Sequence, residues 1–121
     1  MPFEPQPGQV FRPRALQSHV HLVISAVTPD GRILTVNWTT LDDECIDDAC
    51  ILHPGDHPAI RHDSTVAYSF AELRDAEKFI RAADAGLLEF LPPLQPAVFR
   101  RILEGANKSL RENWKILLPK F

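Results

Sequence analysis

Long apolar runs are missing from this sequence, and cysteine and glycine are scarce. No stretch approaches the roughly 18 consecutive apolar residues that cross a bilayer as a helix, so no membrane partner is expected. The opening residues, MPFEPQPGQVFRPR, hold no continuous apolar core of the kind a secretory leader needs, and the expected location is cytoplasmic. There are only 2 cysteines, Cys45 and Cys50. In a leaderless chain they are expected as free thiols at a strand end or in the core. Glycine stops at 5 residues, and neither Ser25 nor Ser64 sits in a Gly-rich elbow, which removes the usual setting of a serine nucleophile. Internal repeats and low-complexity tracts are also lacking.

What is present describes an ordinary globular chain: 121 residues, 45% hydrophobic and 24% charged, enough for one domain with one core. The net charge of −3 hides an asymmetry. Residues 1–41 carry +1, residues 42–99 carry −8 with the run DDECIDD at its start, and residues 100–121 carry +4. A polyanion is therefore steered towards the C-terminal end and away from residues 42–48, unless both are merely solvated faces.

Four of the 11 prolines fall in the first 18 residues and favour an extended arm. GQVF, residues 8–11, suits a short strand. HVHLVISAV, residues 19–27, has the β-branched density of a buried strand, and ILTVNW, residues 33–38, returns after the turn TPDGR. ACIL and TVAYSF add two short strands. So the first 70 residues read as β and suit a small, strongly bent barrel. SFAE, Ser69 to Glu72, has the form of a capping box. It predicts a helix over 70–86 with Leu73, Ala76, Phe79, Ile80 and Ala83 on one face and Gly86 as its stop. Pro96 predicts the start of a second helix over 96–114, with Val98, Phe99, Ile102, Leu103, Ala106 and Leu110 as its buried stripe. KILLPKF can add an extended segment over the core.

Two strings carry a resemblance. SHVHLVIS, Ser18 to Ser25, resembles the R-P-x-L-V-[IL]-S strand of PemK/MazF-type toxins, and TVNWTT, Thr35 to Thr40, is similar to their V-x-P-[LM]-T-[ST] strand end, one hairpin later. PGQVF precedes them where those toxins open their first strand. The resemblance implies an α+β chain: an SH3-like antiparallel β-barrel over 7–70 followed by two C-terminal helices. It also implies a toxin of a toxin–antitoxin system, usually a homodimer, that cuts single-stranded RNA without a metal or cofactor and is blocked by an antitoxin protein. In that chemistry the ribose 2′-hydroxyl attacks its own phosphate, so the protein supplies base, acid and positive charge. The toxins' Thr/Ser pair falls on Thr39 and Thr40. Their catalytic arginine falls near His19, where no arginine stands. An imidazole can act as acid or base but brings no permanent charge or bidentate fork. Arg32 is one candidate for the missing cation, and Trp38 for stacking on a base.

The segment ILHPGDHPAIRHDS, residues 51–64, holds three of the 5 histidines. Cys50, His53, His57 and His62 are ligand types zinc accepts, but their spacing fits no common finger. Paired with Asp56 or Asp63, a histidine such as His57 or His62 can assist catalysis. The composition HPGDHP also suits two consecutive turns in which a histidine caps a carbonyl, and this structural reading is favoured. The leading expectation is an endoribonuclease with His19, Thr39 and Thr40 at its centre. Its rival is a non-catalytic module of the same fold that inhibits a replication or translation protein by binding it.

Overall fold

The computed structural model describes residues 4–14, 19–41 and 47–119. Most of the acidic run, with Cys45, lies outside the described residues, as do Ser18, Lys120 and Phe121. The strands are β1 (Val10–Pro13), β2 (Val20–Val23), β3 (Arg32–Thr40), β4 (Ile51–Leu52), β5 (Ser64–Val66), β6 (Glu72–Asp75) and β7 (Leu88–Leu91). The helices are α1 (Ala76–Asp84), α2 (Pro96–Ser109) and the single-turn α3 (Glu112–Lys115). The architecture is α+β, built on one antiparallel sheet.

The β2–β3 hairpin forms as its sequence predicts, with Val20 opposite Trp38 and Val23 opposite Thr35. Gly31 takes a φ of +80° and donates to the Thr28 carbonyl at 2.9 Å, a conformation open to glycine at no steric cost. β2 ends sooner than the apolar run suggests. Ile24 still donates to the Leu34 carbonyl, but the Leu34 N–H turns to the Ser25 hydroxyl, so a buried side chain replaces the next rung.

β3 is the organising strand. One edge takes β2; the other takes β6 along Arg32–Thr35 and β5 along Trp38–Thr40. The strand order runs β4-β5-β3-β2-β1-β7, with β6 beside β3, and the path does not close among the described residues. The expected limit of 7–70 for the sheet is therefore too short, because β6 and β7 belong to it.

Two helix expectations need correction. Ser69 and Glu72 do not form a capping box: Tyr68–Phe70 is a 3-10 turn, Ala71 is extended, and residues 72–75 pair with β3. The helix begins at Ala76, capped by Asp75, whose carboxylate accepts from the Lys78 N–H at 3.0 Å. The open edge of β3 offers a ladder that a local helical pattern cannot match. Gly86 ends α1 as expected: it donates to Ala83 while Leu87 donates to Ala82, closing a Schellman motif at φ +75°. The helix expected over 96–114 splits at Leu110, which is buried and extended (φ −79°, ψ 159°) and leaves α3 as a separate turn. Pro96 does start α2, and all six residues of its predicted stripe are buried. KILLPKF forms no strand up to residue 119; it contributes the buried Leu118.

Strand alternation divides the core. Val10, Leu22, Leu34, Val36 and Trp38 face α2 and meet Val98, Phe99, Ile102 and Leu103. Phe11, Val23 and Ile33 face the other way and are covered by Ala76 and Phe79 of α1. But α1 covers only one end of that second face. The uncovered end carries His21, Asn37 and Thr39. No described helix is long and apolar enough to cross a membrane.

Candidate functional site

The hairpin register fixes the centre of the site. His21 stands opposite Asn37. Continuing the same pairing outward sets His19 opposite Thr39, and alternation puts all four on the face that α1 leaves open. His19 and Thr39 line two adjoining cavities, one on each side of their row.

The first cavity, about 330 Å³, brings together His19, Thr39, Thr40, Arg61 and His62, with Trp38 at its base. Thr40 points to the opposite face of β3 from Thr39, so the two hydroxyls flank the strand end rather than lying side by side. Arg61 and His62 arrive from the loop before β5, and both are exposed. No carboxylate among the described residues pairs with Arg61, which leaves its guanidinium available to an anion. Arg61, over 40 residues from His19 along the chain, thus lines the same cavity as His19. Arg32 cannot serve. It sits at the other end of β3, about 24 Å away at 3.4 Å per residue, and its Nε lies 3.5 Å from Asp30. Trp38 is only 5% exposed and packs in the core, with no open face for a base.

The second cavity, about 350 Å³, is bounded by His19, His21, Asn37, Thr39, Phe70 and Glu72. His21 stacks on Phe11 at 5.4 Å between ring centroids. Burial, helped by the Arg74 guanidinium and by His19 and opposed by Glu72, lowers its pKa to about 4, so the ring is neutral at physiological pH. Arg74 donates from Nε to Thr35 Oγ1 at 2.9 Å and lies 3.6 Å from Glu72, steadying that carboxylate at the cavity rim. His21, Asn37 and Arg61 escaped the sequence reading. The alternation of HVH with TVNWT carried the signal for the first two; nothing local carried it for Arg61.

The histidine segment resolves into separate tasks. His57 is buried, accepts from the Ala59 N–H at Nδ1 (3.0 Å) and donates from Nε2 to the Pro92 carbonyl (2.6 Å). With both nitrogens engaged, it is a structural staple and not an assistant at the site. His53 meets Asp63 at 2.9 Å on the surface. Asp56 accepts from the His53 N–H and from Arg101 of α2, tying the turn to the helix; those bonds overcome partial burial and lower its pKa. Only His62 reaches the cavity. Among the described residues no three His, Cys, Asp or Glu side chains gather as a metal site. Cys50 is buried, and burial raises the pKa of its thiol and that of the neighbouring Tyr68 hydroxyl, which leaves both protonated.

A larger cavity, about 600 Å³, lies between α2 and the C-terminal segment, with Arg100, Glu104, Asn107 and Lys115 on its walls. Its lining holds neither imidazole nor hydroxyl.

Comparison with protein-family models, curated proteins and solved structures finds no match to this chain.

Proposed function

We propose that this chain is a metal-independent endoribonuclease acting on single-stranded RNA, the toxin of a toxin–antitoxin system, built on a variant of the SH3-like barrel of the PemK/MazF proteins. The observation that carries this reading is the cluster of His19, Thr39, Arg61 and His62 around one cavity. It contains the three things the reaction needs: a base, an acid and a fixed positive charge. In the proposed step His19 takes the proton from a ribose 2′-hydroxyl, whose oxygen attacks the adjacent phosphorus. The bond from phosphorus to the 5′ oxygen breaks, and His62 returns a proton to that oxygen. Arg61 and the Thr39 hydroxyl hold the non-bridging oxygens as charge builds on them. The products are a 2′,3′-cyclic phosphate and a 5′-hydroxyl.

Of the acidic residues between 42 and 99, Asp56 and Glu89 are paired with Arg101 and Arg12 from outside that block, which reduces its excess of negative charge without cancelling it. The further partners of this reading are an antitoxin protein and a second copy of the chain.

One observation favours the rival, a non-catalytic toxin that binds a replication or translation protein. His19 has no hydrogen-bond partner among the described residues, so nothing there fixes its ring. Incubation with mixed-sequence single-stranded RNA in EDTA separates the two. Cyclic-phosphate ends that vanish in His19→Ala and Thr39→Val support the nuclease; RNA left intact across pH and salt removes it in favour of the rival.

A further inference from the structure

The cavity on the far side of the His19–Thr39 row has no task in phosphodiester cleavage itself. Asn37 lines it and is only 7% exposed; no buried side-chain nitrogen or oxygen among the described residues is left without a partner, so its carboxamide opens on the cavity. There a polar ligand group can take the place of water on the amide, exchanging one hydrogen bond for another. At the rim, the Phe70 ring is 70% exposed, the second most exposed large apolar side chain described, and lies open to a flat ligand. Glu72 adds a carboxylate with acceptor sites only. The volume, about 350 Å³, lies at the small end of ligand cavities, which run from about 300 to 1,000 Å³.

We infer that this cavity binds the guanine base of single-stranded RNA, stacked on Phe70, with Glu72 accepting from its N1–H and N2 amino group and the Asn37 amide donating to O6. The inference rests on the RNA reading given above and names the nucleotide that reading leaves open. A carboxylate needs two adjacent donors to be fully used, and guanine's Watson–Crick edge alone offers them beside a carbonyl. Adenine and cytosine set their single amino donor beside an acceptor, and uracil flanks its one N–H with two. Unstacked bases read on that edge over an aromatic ring are the usual mode of single-strand recognition.

Two measurements on the intact protein test this. In an NMR titration with the four nucleoside monophosphates, GMP shifts the Asn37 side-chain amide and the Phe70 ring and binds at least tenfold tighter than AMP, CMP or UMP. Glu72→Gln and Phe70→Ala, both changes at exposed positions, remove that preference. Hexanucleotides with a single G bind tighter than GMP, since the phosphate contacts at Arg61 then add. Equal binding of all four monophosphates, preference for another base, or GMP outbinding the hexanucleotide overturns the inference. RNA that binds with this G preference yet stays uncut in EDTA counts against the nuclease and leaves the base site standing. Cleavage whose base preference is unchanged in both variants counts against the base site alone.

Discussion

The imidazole of His57 bridges Ala59 and the Pro92 carbonyl, donating to the latter at 2.6 Å from a position only 3% exposed. This one side chain pins the loop before β5 to the segment between β7 and α2, with the Trp38 indole packed 5.4 Å from its ring. His57→Ala leaves the Ala59 N–H and the Pro92 carbonyl unpaired beside a cavity. It is expected to cost about 2–4 kcal/mol. His53→Ala removes only an exposed contact with Asp63 and should cost under about 1 kcal/mol. Urea unfolding midpoints of the two variants give the comparison; equal losses would mean that the staple is not what holds the loop.

Gly105 is buried against Tyr68, and a Cβ there would overlap the Tyr68 hydroxyl and sit 3.1 Å from the Cys50 Cβ. Tyr68 is held by its own bond to the Ile102 carbonyl at 2.7 Å. Gly105→Ala should therefore destabilise by about 1–3 kcal/mol despite the gain in helix propensity. In a Tyr68→Phe background the same change should cost less, because the overlapping atom is gone. A double-mutant cycle with no coupling would contradict this packing.

His21 makes stability depend on pH. Its folded-state pKa is lowered from 6.5 to about 4 by burial, by Arg74 and by His19, with Glu72 opposing, so between these values the unfolded chain binds more protons. The contribution is complete above about pH 6.5 and is lost as pH falls towards and through about 4. The stability of the wild type should fall more steeply than that of His21→Gln across this window. Parallel curves would show that the ring is not held neutral.

Arg61 and Arg32 divide sharply if the cavity at the His19 end of the hairpin is the reaction centre. Arg61→Ala should lower kcat/KM for RNA cleavage by about 10²-fold, the scale of losing one charge-stabilising donor. Arg61→Lys should recover part of it, since an ammonium keeps the charge but not the fork. Arg32→Ala, at the opposite end of β3, should leave the rate unchanged. A loss with Arg32 equal to that with Arg61 would displace the site.

Asp75 caps α1, so Asp75→Ala should cost about 1 kcal/mol, while Ser69→Ala, at an exposed position outside the α-helices, should stay within about 0.5 kcal/mol. Thermal unfolding of both variants decides between the two helix starts.

The contrast between Ser69 and Asp75 shows what kind of signal misleads. Ser-x-x-Glu is a local pattern, and Leu73, Ala76 and Phe79 follow it at helical spacing. Yet residues 72–75 lie along an edge of β3 and find their backbone partners there, a long-range pairing that no local pattern announces. β7 was missed for a related reason. A four-residue apolar run has no period of its own, and only β1 lying alongside makes it a strand.

Sequence alone determined the features that rest on neighbours along the chain. The TPDGR turn sets the hairpin register, and a two-residue period then obliges His19 to face Thr39. Pro96 starts α2, Gly86 ends α1, and the α2 stripe is buried because its spacing matches the helical period. Tertiary structure alone decided the rest. It brought Arg61 and His62 to that hairpin, sealed His57 inside, and left Asn37 and Phe70 around an open cavity because α1 covers only half of the sheet's second face. These are contacts between segments far apart in the chain, and no local periodicity or turn chemistry encodes which distant side chain will complete a cluster.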